Sequence, residues 1–337
     1  MVTLSDVAAR AGVSVSAVSR VLRNAPSTRV SADTRQRIED AARELGYRPN
    51  FAARALKSSR TNVIGLVVPL VTNAIFSDIL RGAEEEAQRH GHLVFVARTE
   101  GMIDGEETIP RLIGEGRVDG VLLQVGDAMR PEDLNIFLDG ALPLVVINSV
   151  HRGHAGSVTL DDARGIRLAT EHLIGLGHTR IAFLGGLPRS DSGRRREQGF
   201  REAMADAGLA IPDGFVTQLG YEPRQGGAAL ASLAALGERP TAIVVANVNA
   251  AHGALLEARR LGIAVPQELS IAAMHDTWTA ENAWPPLTTV RMPLVEFGRQ
   301  AVRDLLARIE TGVLVDRVVS DPAPELVVRE STAPPAR

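Results

Sequence analysis

The sequence predicts a small all-α head of helix-turn-helix type followed by an α/β body of two similar lobes. Three features predict it. Residues 3–22, TLSDVAARAGVSVSAVSRVL, read as two short helices joined by a turn at Gly12. Residues 1–60 hold eleven Arg or Lys against five acids, whereas the remainder holds 26 basic and 35 acidic residues. Beyond residue 62, short β-branched runs alternate with Ala-, Leu-, Glu- and Arg-rich helical stretches.

In the head, Thr3 with Asp6 three residues later is a capped helix start. Leu4, Val7, Ala8 and Ala11 recur at helical spacing, and Gly12 supplies the left-handed backbone that ends the helix. Ser14 caps a second helix with Val18, Val21 and Leu22 inward and Val15, Ser16, Ser19 and Arg20 mostly outward. Two short helices about a glycine turn form the unit that lays its second helix in the DNA major groove. An ordinary helical hairpin would show the same local pattern. Ser31 caps a third helix with Ile38, Ala41, Ala42 and Leu45 on one face, ended by Gly46, and Asn50 can cap a short helix carrying Phe51 and Leu56.

A basic head on an acidic body (net +6 and −9) suits a protein of which one end meets phosphate. Cysteine is absent, which excludes disulfides, zinc fingers of cysteine type and thiol catalysis. With no signal-like N-terminus and no run of ~18 apolar residues, a cytoplasmic protein without a membrane partner is expected.

In the body the runs are VIGLVVP (63–69), LVFVA (93–97), VDGVLLQ (118–124), PLVVIN (143–148), RIAFLG (180–185), TAIVVAN (241–247) and LSIAAM (269–274). Apolar along their length, they read as parallel strands buried on both faces. Ligands of such sheets sit at the carboxyl ends of the strands. No Gly-x-Ser-x-Gly motif, aspartate cluster or metal-ligand spacing appears there, so no catalytic residue, cofactor or metal is expected. His151 and His154 form only a lone HxxH in a glycine-rich loop. His172 and His178 bracket a helix end, where a cation suits the helix dipole. The GG pairs at 185–186 and 226–227 are explained by turns and close helix approach.

The pieces DVAARAGVS, VSRVL, VSADTRQRIEDAARELGYRPN and AARAL resemble the lactose-repressor/galactose-repressor family of bacterial transcription regulators. DDARGIRLATEHLIGLGHTRIAFLGG, EQGFREAM and PPLTTVRMPLVEFGRQAV extend the resemblance through the body. It implies a helix-turn-helix domain over 1–49, a hinge helix and linker over 50–61, and a periplasmic-binding-protein type I-like effector and dimerisation domain over 62–330. Crossovers between lobes are placed near 160, 289 and 321 (residues 159–162, 287–291 and 319–323), and 331–337 is read as a frayed tail.

The resemblance also implies roles. Val15, Ser16 and Arg20 would meet base edges: Arg20 suits guanine O6 and N7, and Val15 a thymine methyl. Thr3, Ser14, Ser19, Ser31 and Thr34 read as caps or phosphate contacts, and Arg29 as a backbone clamp. Arg23 replaces the usual asparagine, with Asn24 one residue later. Leu56 would wedge into a minor-groove base step, supported by Asn50, Ala53 and Arg54 in a hinge helix that folds on DNA. Double-stranded operator DNA, bound as a homodimer, is the implied partner.

For a small-molecule effector the resemblance implies Asn73, Ile75, Phe76, Asn148, Arg196, Tyr221, Asn247 and His275. A guanidinium at 196 suits hydroxyls or a carboxylate. His275 and Val248 stand where relatives often carry acids. Their loss would leave Arg196, with Arg189 or Arg195, short of negative charge, making a sugar acid plausible and a neutral sugar less certain. Asp276 could simply cap its loop. The competing readings are a cytoplasmic solute-binding protein and an α/β hydrolytic enzyme, both without a DNA role.

Overall fold

The computed structural model describes residues 2–22, 30–48, 60–99, 115–126, 129, 131–138, 142–151, 153 and 155–336. The chain forms two compact units, residues 1–61 and 62–337.

The first unit is helical. α1 (Leu4–Ala11) begins with a reciprocal capping box: the Asp6 N–H donates to Thr3 Oγ1 at 3.4 Å, and the Thr3 N–H donates to the Asp6 carboxylate at 2.8 Å. Gly12, at φ 66°, closes it. α2 (Val15–Val21) starts at Ser14, whose hydroxyl accepts from the Ala17 N–H, and α3 (Ala32–Glu44) starts likewise at Ser31. Val7, Ala8, Ala11, Val18, Val21, Ile38, Ala41 and Ala42 are buried together, so one side of each helix builds a single small core.

The second unit carries two six-stranded sheets. The first contains β1 (Val63–Val68), β2 (Leu93–Arg98), β3 (Gly120–Gln124), β4 (Leu144–Ile147), β5 (Gly156–Leu160) and β11 (Asp316–Val319), in the order β11-β5-β4-β3-β1-β2. The second contains β6 (Ile181–Gly185), β7 (Val216–Gln218), β8 (Ala242–Val245), β9 (Ser270–Met274), β10 (Thr288–Arg291) and β12 (Glu325–Val327), in the order β12-β10-β9-β8-β6-β7. Every pairing is parallel except β10 with β12.

The helices between strands are α4 (Ile75–Arg89), α5 (Pro131–Leu138), α6 (Asp162–Gly175), α7 (Asp191–Asp206), α8 (Pro223–Ala234), α9 (Val248–Arg260), the short α10 (Trp278–Glu281) and α11 (Leu294–Thr311). α4 packs on α11, α6 on α7 and α8 on α9. Close approach at these crossings depends on glycine. A Cβ on Gly199 of α7 would overlap the carbonyl of Ala163, and one on Gly253 of α9 would overlap that of Pro223.

The chain passes from the first sheet to the second between β5 and α6, since α6 packs on β9 and β10. It returns between β10 and α11, because α11 packs on β3, β4 and β5, and it passes over again between β11 and β12. The second passage falls after Arg291 rather than within 287–291. There TTVR is a strand of the second sheet, short and threonine-rich, so it lacks the continuous apolar run that marks the other strands.

Four sequence expectations are corrected. LVFVA reads as buried on both faces, but β2 is an edge strand with Leu93 67 % and Phe95 44 % exposed. The segment from Ser331 is a clasp rather than a frayed tail: Ser331 is fully buried, donates to the Ile271 carbonyl at 2.6 Å and accepts from the Thr288 N–H at 2.8 Å. His172 and His178 are not cations serving the helix dipole. His178 bonds Thr241 Oγ1, Ser270 Oγ and the Ala333 carbonyl, and burial lowers its pKa despite that carbonyl. His172 contacts Thr332 Oγ1, and burial, then repulsion from a second proton on nearby His178, lowers its pKa too.

Candidate functional site

The head presents a surface made by geometry alone. Val18 and Val21 turn inward to the core, which leaves Val15, Ser16 and Arg20 on the exposed side of α2, with Ser19 half-buried. Val15 is 43 % exposed. Arg20 lies back along its helix, donating from Nε to the Ser16 carbonyl and from Nη2 to Ser16 Oγ, both at 3.3 Å. Ser16 Oγ lies 3.2 Å from Ser14 Oγ. Thr3, Ser14 and Ser31 serve as helix caps. Asn24, Arg29, Asn50, Ala53, Arg54 and Leu56 lie outside the described residues.

The body gathers its polar residues where the carboxyl ends of both sheets meet. Asn148 follows β4 and His275 follows β9, both at positive φ (60° and 77°). Asn247 follows β8 and caps α9, its Oδ1 accepting from the Asn249 N–H at 2.7 Å. Arg195 and Arg196 project from the second turn of α7. Phe183 of β6 stacks on Phe200 of α7 (centroids 5.2 Å apart), and Gly199 fits against Ala163; these contacts fix where the two arginines stand.

The centre of the arrangement is Asp162, completely buried at the start of α6. One carboxylate oxygen accepts from Arg196 Nε at 2.8 Å; the other accepts from Arg195 Nη2 at 2.6 Å. Arg195 also pairs with Asp191 and donates to the Asn148 carbonyl at 3.2 Å, joining the lobes. Arg196 is 3 % exposed, donates to the Ala246 carbonyl at 3.0 Å and lies over the Tyr221 ring at 5.2 Å. Tyr221 in turn covers Gly186, where any side chain would collide with the ring.

Asp162 supplies buried negative charge that the sequence reading did not count: it accepts from both Arg195 and Arg196, while Asp191 is shared by Arg194 and Arg195, so the arginines have counter-charges without an acid at 275. Sequence reading missed Asp162 because, in the pair Asp161–Asp162, both look like first-turn acids. Asp161 is that cap, accepting from the Arg164 N–H at 3.1 Å, while its neighbour turns inward. Val248 belongs to the apolar core of the second lobe.

His275 is fully buried, and burial, then the adjacent Arg196 cation, holds its pKa well below the ordinary 6.5. Its ring is therefore neutral at physiological pH. Among the described residues neither ring nitrogen has a hydrogen-bond partner, nor does Asn148 Oδ1. Asn148 Nδ2 donates to Gln124 Oε1 at 3.1 Å. Asp276 caps nothing; it accepts from Thr289 and pairs with Arg291 and Arg329. Ile75 and Phe76 are core residues of the first lobe, while Asn73 Oδ1 accepts from the Ile75 N–H at 3.3 Å. The arrangement offers hydrogen-bonding groups; among the described residues it holds no group of metal-ligating side chains.

Known proteins share both parts. Residues 3–50 match the family model of bacterial regulatory proteins, lacI family, and residues 170–332 match a periplasmic binding protein-like domain. The chain is 33 % identical over 335 residues, 98 % of each chain, to the HTH-type transcriptional repressor PurR of Vibrio cholerae. It is 44 % identical to a solved LacI family transcriptional regulator from Mycobacterium smegmatis (TM-score 0.76, covering 81 % of this chain and 100 % of that one). It is 27 % identical to the lac repressor dimer bound to operator and an anti-inducer (TM-score 0.81, covering 98 % and 99 %). A helix-turn-helix head, a two-sheet α/β body and near full-length similarity agree: the chain belongs to the lacI family of bacterial regulatory proteins, as a helix-turn-helix DNA-binding transcriptional regulator.

Proposed function

We propose that the protein is a transcriptional repressor that binds a palindromic operator as a homodimer in the cytoplasm, its DNA affinity set by a small molecule held between the lobes. The observation that carries the DNA half is the outward row Val15, Ser16 and Arg20 on a helix anchored by Val18 and Val21. Arg20 supplies the fork for a guanine edge and Val15 an apolar surface for a thymine methyl. Similarity to a repressor crystallised as an operator-bound dimer supports the assembly. No helix among the described residues is long and apolar enough to cross a membrane.

The effector half rests on the polar residues Asn148, Arg196, Tyr221, Asn247 and His275 near the carboxyl ends of the strands, with Asn73, Ile75 and Phe76 of the first lobe added from the family resemblance. Arg195 bridges from α7 to Asn148, so a ligand pressing on either lobe changes their separation. Ligand and DNA then alter each other's affinity by the same factor, typically worth about 1–3 kcal/mol.

The test is operator selection from random duplexes, followed by binding of wild type and Arg20→Ala to the selected and to scrambled sites. Arg20→Ala is expected to cost about 1–3 kcal/mol on the operator and much less on scrambled DNA, with relaxed preference at one symmetric base pair. Equal losses on both would show that Arg20 holds phosphate and does not read sequence.

A further inference from the structure

The outward side of α2 carries a contact between two of its own exposed residues. Ser16 and Arg20 stand one turn apart, the spacing that stacks side chains on a single helix face. Arg20 donates from Nε to the Ser16 carbonyl and from Nη2 to Ser16 Oγ, both at 3.3 Å. Ser16 Oγ is itself placed, lying 3.2 Å from Ser14 Oγ, and Ser14 is fixed as the helix cap by the Ala17 N–H. Cap, serine and guanidinium thus form one chain along the exposed side of the helix.

The chemistry of the two side chains gives this contact a direction. A guanidinium presents two edges able to make paired bonds: Nε with one terminal nitrogen, and the two terminal nitrogens together. The bonds to Ser16 use the first edge, so the second is the one that meets a guanine O6 and N7. A serine hydroxyl has one donor and two acceptor positions. Arg20 and Ser14 take two of the three, which leaves Ser16 poorly equipped to read a base by itself. Both residues are exposed, so the bonds add little to the stability of the head in water. Their effect is to restrict a long side chain before DNA arrives, and ordering such a chain at an interface otherwise costs about two- to ten-fold in affinity. We infer that Ser16 is a positioning residue for Arg20: it reads no base and presents the Nη1–Nη2 edge of Arg20 to one guanine of each half-site. The family resemblance places both residues at base edges; the hydrogen bonds give them unequal parts. The inference deepens the DNA half of the proposed function and rests on Arg20 meeting a guanine.

The experiment uses the full-length protein and the operator obtained by selection from random duplexes. Fluorescence anisotropy measures operator and scrambled DNA with wild type, Ser16→Ala, Arg20→Ala, Arg20→Lys and Ser16→Ala/Arg20→Lys. Ser16→Thr and Ser16→Val form a matched pair of equal shape that differs only in the hydroxyl. Selection is repeated with Ser16→Ala and Arg20→Ala. Ser16→Ala is expected to weaken operator binding about two- to ten-fold for each head engaged, and to relax preference at the same base pair as Arg20→Ala. Ser16→Thr binds more tightly than Ser16→Val, which holds the comparison even if alanine disturbs the helix. In the Arg20→Lys background Ser16→Ala changes little, because lysine has no second edge to present. Relaxed preference at a different base pair, or additive losses in the double variant, shows that Ser16 reads DNA itself and overturns the inference. Operator affinity of Ser16→Ala within about two-fold of wild type, or tighter than wild type, also overturns it. Equal losses for Arg20→Ala on operator and scrambled DNA overturn both the inference and the base-reading role of Arg20.

Discussion

Replacing Asp162 with alanine tests the electrostatic logic of the body most directly. Its carboxylate is fully buried and accepts from Arg196 Nε at 2.8 Å and from Arg195 Nη2 at 2.6 Å. The two arginines would suffer differently. Arg195 keeps Asp191 and has a quarter of its side chain in solvent, so its loss is modest. Arg196, 3 % exposed, would lose its bond to a carboxylate while keeping the Ala246 carbonyl and the Tyr221 face. Removing one partner of such a buried pair costs about 3–5 kcal/mol, mostly because the remaining ion is stranded away from water. For a body of this size each kcal/mol is worth about 2–4 °C, so a fall in melting temperature on the order of 10 °C is expected. Urea unfolding followed by circular dichroism gives the free energy. The double variant Asp162→Ala/Arg196→Met should recover much of the loss, since the buried cation is then removed together with its carboxylate. A cost under about 1 kcal/mol for Asp162→Ala, or a double variant no better than the single one, would refute the reasoning.

Three further outcomes follow from the same structure. Gly199→Ala puts a methyl into the Ala163 carbonyl and forces α7 away from α6; a loss of about 1–3 kcal/mol or more is expected by denaturant titration, with ligand affinity falling as Arg196 leaves Asp162. Stability should fall as pH drops below about 6.5, because an unfolded histidine takes up a proton there while His178, His172, His252 and His275, each lowered by burial, resist it; the unfolded state then binds more protons. His178→Gln should flatten that slope between about pH 7 and 5 in melting experiments, and an unchanged slope would exclude the clasp as its source. Thr3→Ala breaks the capping box of α1 and should cost the head about 1 kcal/mol, read from its own thermal transition, with operator and scrambled DNA affected alike.

The head was nearly all legible in the residues. Caps at Thr3, Ser14 and Ser31, a glycine at position 12 and the spacing of Val7, Val18, Val21 and Ile38 are local signals, and local hydrogen bonds with helical periodicity use them directly. The strong strands were legible for the same reason: a run buried on both faces must be apolar throughout. Short or edge strands escaped. GSVTL, TTVR and DRVV mix polar and apolar residues, since hydrogen bonding to a neighbouring strand defines them more than their composition does.

The site divides along the same line. Arg196, Asn148, Asn247 and His275 were named through the family resemblance; Asn148, Asn247 and His275 follow apolar strands and Arg196 stands on the second turn of α7. Asp162 and the partners of His178 did not stand out, for their roles are set by residues dozens of positions away. Sequence by itself determined the helix-turn-helix, the basic head, the α/β alternation and which residue types end the strands, because propensity, capping and burial act over a few residues. Tertiary structure alone decided that Asp162 bonds both arginines, that His275 is a buried neutral ring whose nitrogens have no partner among the described residues, and that Ser331–Ala333 is held by Ile271, Thr288, His172 and His178. Charge balance and desolvation depend on what surrounds a group in space, and chain order carries no record of that.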